Sequence, residues 1–339
     1  MEKEQQKHKI FEINKENFDS LALEIFNFQY HNNEVYKAYT DALHIAPAAV
    51  KTIDKIPFLP VSFFRTHKVQ TTPFQPEIVF ESSGTTGMVK SQHFVKDLSL
   101  YEESFTRCFE SFYGPVKDYC IIGLLPSYLE RKNSSLIYMV EKWISRSEHN
   151  QSGFYLDEHE KLISVLNELE GNGQKTLLIG VSFALLDLAE IFSSHNYRKP
   201  LIHTIIMETG GMKGRRKEII RPELHEILKR SFKVPAIHSE YGMTELLSQA
   251  YSKTEGIFSC PSWMKVFVRN EEDPLLISVP RLQTVAPVTG AINIIDLANI
   301  YSCSFIATDD VGKVYSDGSF EVLGRLDNSD LRGCSLMIV

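Results

Sequence analysis

Apolar side chains recur at helical spacing from about Glu16 to Ile45, with Phe18, Leu21, Ile25, Phe26 and Tyr30 on the stripe. That pattern predicts an amphipathic, helical N-terminal segment. Prolines then punctuate Lys55-Ile-Pro-Phe-Leu-Pro60, which leads into Val61-Ser-Phe-Phe-Arg-Thr-His67. Proline lacks an N–H and biases its predecessor toward extended backbone, so this run reads as extended. Beyond it, two periodicities alternate. Short apolar runs at 77–80, 119–125, 176–180, 204–207 and 234–237 read as strands; 98–113, 136–147, 158–169, 183–193 and 222–231 read as helices. Such alternation implies βαβ units and a mainly parallel sheet covered by helices. From about Ser262 the pattern changes to strands and turns. The expected fold class is α/β: mainly parallel sheets with flanking helices, plus a β-rich C-terminal subdomain. The expected division is a helical segment at 1–50, an α/β body at 51–255 and the β-rich portion at 256–339.

Composition narrows the function without naming it. At 339 residues, 43% hydrophobic and 23% charged, the chain can bury a large core as a globular protein. A net charge of −7 gives no basic surplus for phosphate backbones or anionic membranes. No apolar stretch approaches the roughly 20 residues of a spanning helix. The N-terminus, Met-Glu-Lys-Glu-Gln-Gln-Lys-His, lacks an apolar signal core. The five cysteines are widely spaced, without a CxxC pair, so free thiols in a reducing cytoplasm are expected.

Candidate chemistry concentrates in a few short runs. Glu81-Ser-Ser-Gly-Thr-Thr-Gly-Met-Val-Lys90 follows a strand and is dense in small donors, closing on a cation. Such a loop can wrap N–H and hydroxyl groups around phosphate oxygens. It is not a Walker A loop, because Gly84, Gly87 and Lys90 fall at three-residue steps. Gly210-Gly211 follows another strand, where missing Cβ atoms let a flat ligand approach; a strand-to-helix turn explains them equally. In Tyr241-Gly-Met-Thr-Glu245, Tyr suits base stacking, Thr a phosphate and Glu a hard cation, while a helix N-terminus also favours Thr and Glu. Thr308-Asp-Asp-Val-Gly312 offers carboxylates suited to ribose hydroxyls, and Asp317-Gly318 reads as a hairpin turn.

Taken in order, Ser82-Ser-Gly-Thr-Thr-Gly87 with Lys90, Gly210-Gly211, Tyr241-Gly-Met-Thr-Glu245, Thr308-Asp-Asp-Val-Gly312 and Gly324-Arg-Leu-Asp327 resemble the adenylate-forming superfamily. The resemblance spans about residues 55 to 335. Ile56-Pro-Phe-Leu-Pro-Val-Ser-Phe-Phe-Arg-Thr-His-Lys68, His93 and the ending Leu331-Arg-Gly-Cys-Ser-Leu336 are similar to the acyl-protein synthetase of bacterial bioluminescence. The resemblance implies ATP and Mg²⁺ as cofactors and a carboxylic, fatty-type acid as substrate. Ser82, Ser83, Gly84, Thr85, Thr86 and Gly87 would hold the β/γ-phosphates, with Lys90 adding charge. Gly210, Gly211 and Tyr241 would frame adenine. Thr244 would meet the α-phosphate, Glu245 the metal, Asp310 the ribose and Arg325 ribose or phosphate. Cys334 would accept the acyl group, for delivery to a reductase or acyl-carrier partner. Two departures accompany the likeness. Thr308-Asp309-Asp310 stands where the superfamily has Thr-Gly-Asp, and the late lysine of the usual C-terminal domain has no counterpart before Val339. A reduced acyl-CoA ligase and a non-catalytic adenylate-binding protein are the alternatives. His93 and His238 read as bases, as pocket-shaping residues or as buried structural histidines.

Overall fold

The computed structural model describes residues 9–83, 89–125, 133–155, 158–194, 200–210, 219–270, 273–278 and 286–326. In chain order its strands are β1 (Leu59–Pro60), β2 (Ile78–Glu81), β3 (Gln92–Val95), β4 (Cys120–Leu124), β5 (Gly153–Phe154), β6 (Thr176–Val181), β7 (Thr204–Thr209) and β8 (His238–Tyr241). There follow β9 (Ala250–Ser252), β10 (Ile257–Phe258), β11 (Met264–Arg269), β12 (Ile277–Ser278), β13 (Val288–Asp296), β14 (Phe305–Val314) and β15 (Phe320–Arg325).

One sheet runs β5-β4-β6-β7-β8-β9, parallel as far as β8 and antiparallel at β9. Every residue of β4 and β6 is buried, as expected where helices cover both faces of a parallel sheet. A second sheet runs β10-β15-β14-β13-β11-β12, antiparallel throughout, with β1 joining β14 in parallel. The β2–β3 hairpin forms a small third sheet. The expectation of mainly parallel sheets is therefore corrected: only the first sheet is mostly parallel. The antiparallel sheet follows from tight turns, such as the one at Gly318 (φ 88°), which return the chain beside itself without a crossover helix.

Two local expectations also shift. The N-terminal stripe divides into helices Phe18–Asn32 and Glu34–Ala42, because Asn33 leaves helical geometry and its side chain caps Tyr36 N. The strand expected at 234–237 forms instead at His238–Tyr241, after Lys233 ends the preceding helix in left-handed geometry. The N-terminal helices pack on the antiparallel sheet. Gln29 Nε2 donates to Asn299 O and Ile300 O, both at 3.0 Å, and Asn33 Nδ2 to Ser302 O at 2.9 Å.

Candidate active site

β8 carries Tyr241 to the end of the parallel sheet, opposite β14 and β15 of the antiparallel one. The Tyr241 hydroxyl donates to Asp310 Oδ2 at 2.7 Å, and Arg325 Nε donates to Asp310 Oδ1 at 3.2 Å. Asp310 and Arg325 are direct partners across the β14–β15 ladder, so the hairpin sets their encounter. Tyr241 is buried with its ring against Phe258 and Phe320, whereas the Arg325 side chain is 72% exposed. One side of this group is thus rigid and the other can move. Asp309 points away from it, 3.8 Å from Arg65. Alternation along a strand separates the two adjacent aspartates, and only Asp310 shares a site with Tyr241.

The segment after Tyr241 is tied down from both sides. His93 Nδ1 lies 2.8 Å from Thr244 O. A carbonyl only accepts, so Nδ1 carries the proton. Burial lowers the His93 pKa to about 4 against the opposing pull of that carbonyl, so the imidazole is neutral. Asn299 Nδ2 donates to Glu245 O at 2.7 Å, and the Asp296 carboxylate takes the N–H groups of Leu247 and Ser248 at 2.9 and 3.0 Å. Burial raises the Glu245 carboxyl, while the Ser91 hydroxyl and the charges of Arg65 and Arg325 draw it down. A Cβ at Gly242 would meet Glu240 Oε1 at 2.4 Å, so any larger residue there must displace that carboxylate.

The flanks of the Ser/Thr/Gly loop converge on the same place. Ser82 N donates to Ser91 O at 3.1 Å and Ser91 N to Ser82 Oγ at 3.0 Å, closing the loop's neck. Lys90 pairs with Glu81 at 3.2 Å and is half exposed. Ser91 and His93 thus link this hairpin to Glu245 and Thr244. Gly210 has φ 66° and its carbonyl accepts from Ser182 Oγ at 2.8 Å. Gly84, Thr85, Thr86, Gly87, Gly211 and Cys334 lie outside the described residues.

Beneath Gly210 sits a buried carboxylate pair on adjacent strands. Burial alone would raise Glu208, but hydrogen bonds from His225 and Ser239 and the Arg221 charge, 3.1 Å away, outweigh it. Burial pushes Glu240 up to about 7; the Thr209 hydroxyl pulls it back and Glu208 adds to the rise. Arg221 also donates to Val322 O at 3.1 Å, bridging to β15. Arg221, Ser91 and Ser182 belong to no motif, and spacing alone does not reveal them; Arg65 lies in the Ile56–Lys68 run, where nothing local marks it as a site residue. His238, also neutral with its pKa lowered to about 4 chiefly by burial, packs against Tyr113 away from these groups. Among the described residues no cluster of three or more His, Cys, Asp or Glu could hold a metal by itself. A single buried carboxylate such as Glu245 still fits Mg²⁺, which keeps waters and takes substrate phosphates as its other ligands.

The chain as a whole has relatives. The family described as acyl-protein synthetase, LuxE, matches residues 3–339. The chain belongs to the LuxE acyl-protein synthetase family. It is accordingly an ATP-dependent ligase. This LuxE-family chain is 27% identical over 352 residues to the long-chain-fatty-acid–luciferin-component ligase of Aliivibrio fischeri, covering 96% of this chain and 89% of that one. Its fold matches 2-hydroxyisobutyryl-CoA ligase in an open conformation with TM-score 0.60 at 8% identity, over 92% of this chain and 70% of that one. It also matches ATP-bound MatB from Rhodopseudomonas palustris, with TM-score 0.52 at 15% identity, over 75% of this chain. The chain spans 50% of the length of the MatB structure. The adenylate-forming fold expected from the motifs is thus present.

Proposed function

We propose that this LuxE-family ligase activates a long-chain carboxylic acid as its acyl-adenylate and passes the acyl group to a protein thiol, Cys334 of its own chain. The observation that carries this reading is the hydrogen-bonded group Tyr241–Asp310–Arg325 beside the anchored Thr244–Glu245 segment.

In the first step a carboxylate oxygen of the acid attacks the α-phosphorus of ATP and pyrophosphate leaves. Two anions must meet, so positioning and fixed charge supply most of the rate. Asp310 accepts from the ribose hydroxyls, with Arg325 released toward ribose or phosphate. The Tyr241 ring and the Gly210-Gly211 backbone frame adenine, Thr244 donates to the α-phosphate, and Ser82 to Gly87 with Lys90 hold the leaving pyrophosphate. Glu245 would hold Mg²⁺, which screens phosphate charge when bound. In the second step a thiolate attacks the acyl carbonyl, the C–O bond to phosphate breaks, and AMP departs.

Exclusion supports Cys334 as the thiol. Burial raises Cys108 well above the ordinary thiol range and pushes Cys120 to about 11 and Cys260 and Cys303 to about 12. None of these four is poised as a thiolate nucleophile. The acyl product then suits transfer to a reductase or acyl-carrier partner.

The test is acid-dependent exchange of pyrophosphate into ATP, followed by intact mass after incubation with acid and ATP. Exchange and an acyl mass increment that Cys334→Ser abolishes are expected. No exchange across a broad acid panel refutes activation. An increment retained in the serine variant refutes Cys334, and turnover only with coenzyme A identifies an acyl-CoA ligase instead.

A further inference from the structure

Arg65 stands on a short helix, Phe63–Thr66, just after β1. β13 runs along one edge of β14, so β1 and β15 share the other edge end to end. Val61 N donates to Ala307 O at 2.9 Å, and Leu326 N donates to Asp309 O at 2.7 Å. The helix therefore sits at the rim of the antiparallel sheet, where β1 stops and β15 begins. A long side chain rooted on that rim is confined to neither face of β14.

The base of this helix is fixed, whereas the guanidinium is not. Phe64 is buried, and its ring meets the His93 imidazole edge-on at 5.9 Å. His93 in turn holds Thr244 O at 2.8 Å. Phe64 thus ties the helix both to β3, the strand that follows the Ser/Thr/Gly loop, and to the Thr244–Glu245 segment. Arg65 itself is 41% exposed and lies 3.8 Å from Asp309 Oδ2, longer than a hydrogen bond. Asp309 is 27% exposed, and a long ion pair between two solvated groups opens readily. The charges of Arg65 and Arg325 both act on Glu245, which places Glu245 within range of the two cations. Asp309 is also the residue at which the chain departs from Thr-Gly-Asp.

We propose that Arg65 is a phosphate-binding residue of the adenylation step, leaving Asp309 when ATP binds and taking the β/γ-phosphates that depart as pyrophosphate. The proposal rests on the acyl-adenylate reading above. As the carboxylate oxygen bonds to the α-phosphorus, the bond from that phosphorus to the bridging oxygen breaks, and its electron pair stays on pyrophosphate. A guanidinium there neutralises charge building on the leaving group and offers paired N–H donors to two oxygens. Asp309 is the resting partner, holding the cation at the rim until a stronger anion replaces it.

The test is calorimetric titration of the full chain with ATP, AMP and pyrophosphate, alongside pyrophosphate exchange, in wild type, Arg65→Gln, Arg65→Lys and Asp309→Asn. Arg65→Gln should weaken ATP and pyrophosphate by about tenfold or more, the loss expected for a hydrogen bond between charged groups, and leave AMP unchanged. Arg65→Lys keeps the charge without the planar fork and should recover part of the loss. Asp309→Asn removes the competing anion, so it should tighten ATP. Melting without nucleotide should be the same in every variant, because both partners meet solvent. A merely structural pair predicts that the two partners' variants fall together, so ATP weakened alike by Arg65→Gln and Asp309→Asn overturns the proposal. Equal losses of ATP and AMP in Arg65→Gln overturn it too, as does an unchanged ATP affinity. Absence of exchange with every acid in the wild type refutes acid activation, while the comparison of ATP with AMP still decides the role of Arg65.

Discussion

Replacing His93 separates its two contributions, hydrogen bonding and neutrality. His93 is 1% exposed and donates from Nδ1 to Thr244 O at 2.8 Å, with Phe64 edge-on to its ring. Asn places an N–H₂ near the Nδ1 position and does not titrate; Ala removes the donor. The pKa of His93 falls from 6.5 to about 4 on burial. At about 1.4 kcal/mol per unit, that depression corresponds to about 3 kcal/mol. The folded pKa lies below the unfolded one, so this stability is fully present above pH 6.5. It is lost as pH falls toward 4, because the unfolded chain binds the proton first. Glu240 and Asp296 have folded pKa values raised to about 7 and about 6, so their contribution has the opposite sign; it is common to both proteins and cancels in a difference. Urea midpoints of wild type and His93→Asn should therefore converge as pH is lowered from about 7.5 to about 5, by about 2 kcal/mol. His93→Ala should lose a further 1–3 kcal/mol or so from the orphaned Thr244 carbonyl. It should also raise the KM for ATP in pyrophosphate exchange, which Asn should restore. A wild-type-to-Asn gap that does not change with pH refutes the buried, neutral imidazole. Equal KM values for Asn and Ala refute its role in holding Thr244.

Other contacts give further expectations. Tyr241→Phe removes the buried donor to Asp310 and should cost about 1–3 kcal/mol in urea unfolding; a neutral result removes that bond from the site's support. Arg221→Gln leaves Glu208 buried with one cation fewer and should destabilise by about 3 kcal/mol. A change in that variant below about 0.5 kcal/mol, the range of ordinary surface substitutions, contradicts the bridge from Glu208 to β15.

Apolar periodicity was a good guide to most elements of the α/β body. The stripes at 98–113 and 136–147 correspond to the helices Leu98–Tyr113 and Ser135–Ser147, and the run at 176–180 to β6. It failed at β8, where His238, Ser239 and Glu240 are polar and Ser239 and Glu240 are buried. Glu240 is accommodated by Thr209, thirty-one residues away on the neighbouring strand, and that pairing is invisible to a local window. Motif spacing singled out Tyr241, Asp310 and Arg325, which the fold joins in one hydrogen-bonded group; Tyr241 and Arg325 end their strands, while Asp310 lies inside β14. It could not decide between Asp309 and Asp310; the β14–β15 register does so by directing alternate side chains to opposite faces. Arg65, Ser91 and Arg221 act through contacts that only the folded chain creates.

Charge around the Tyr241–Asp310–Arg325 group, proposed above to bind the nucleotide, leads to a last expectation. Arg325 carries Asp310, Arg65 carries Asp309, Arg221 carries Glu208 and Lys90 carries Glu81. Among the described residues these cations are already matched by carboxylates, and Glu245 adds a further acidic group, so these groups offer little net attraction to a triphosphate. The pairs differ in how easily they open. Lys90–Glu81 is a largely exposed pair of the kind that holds by only about 0–1 kcal/mol, and Arg325–Asp310 joins an exposed cation to a buried carboxylate that keeps its Tyr241 hydrogen bond. The Lys90–Glu81 pair can be exchanged for phosphate at small cost. Glu208–Arg221 is buried on the carboxylate side and should stay closed. On the proposed reading, a divalent cation entering with ATP adds the positive charge that these described pairs do not supply. Exchange should vanish on chelation, return with added Mg²⁺, and require a higher Mg²⁺ concentration in Glu245→Gln. Full activity in chelator would show instead that the opened pairs supply enough charge, and Glu245 would lose its assigned role.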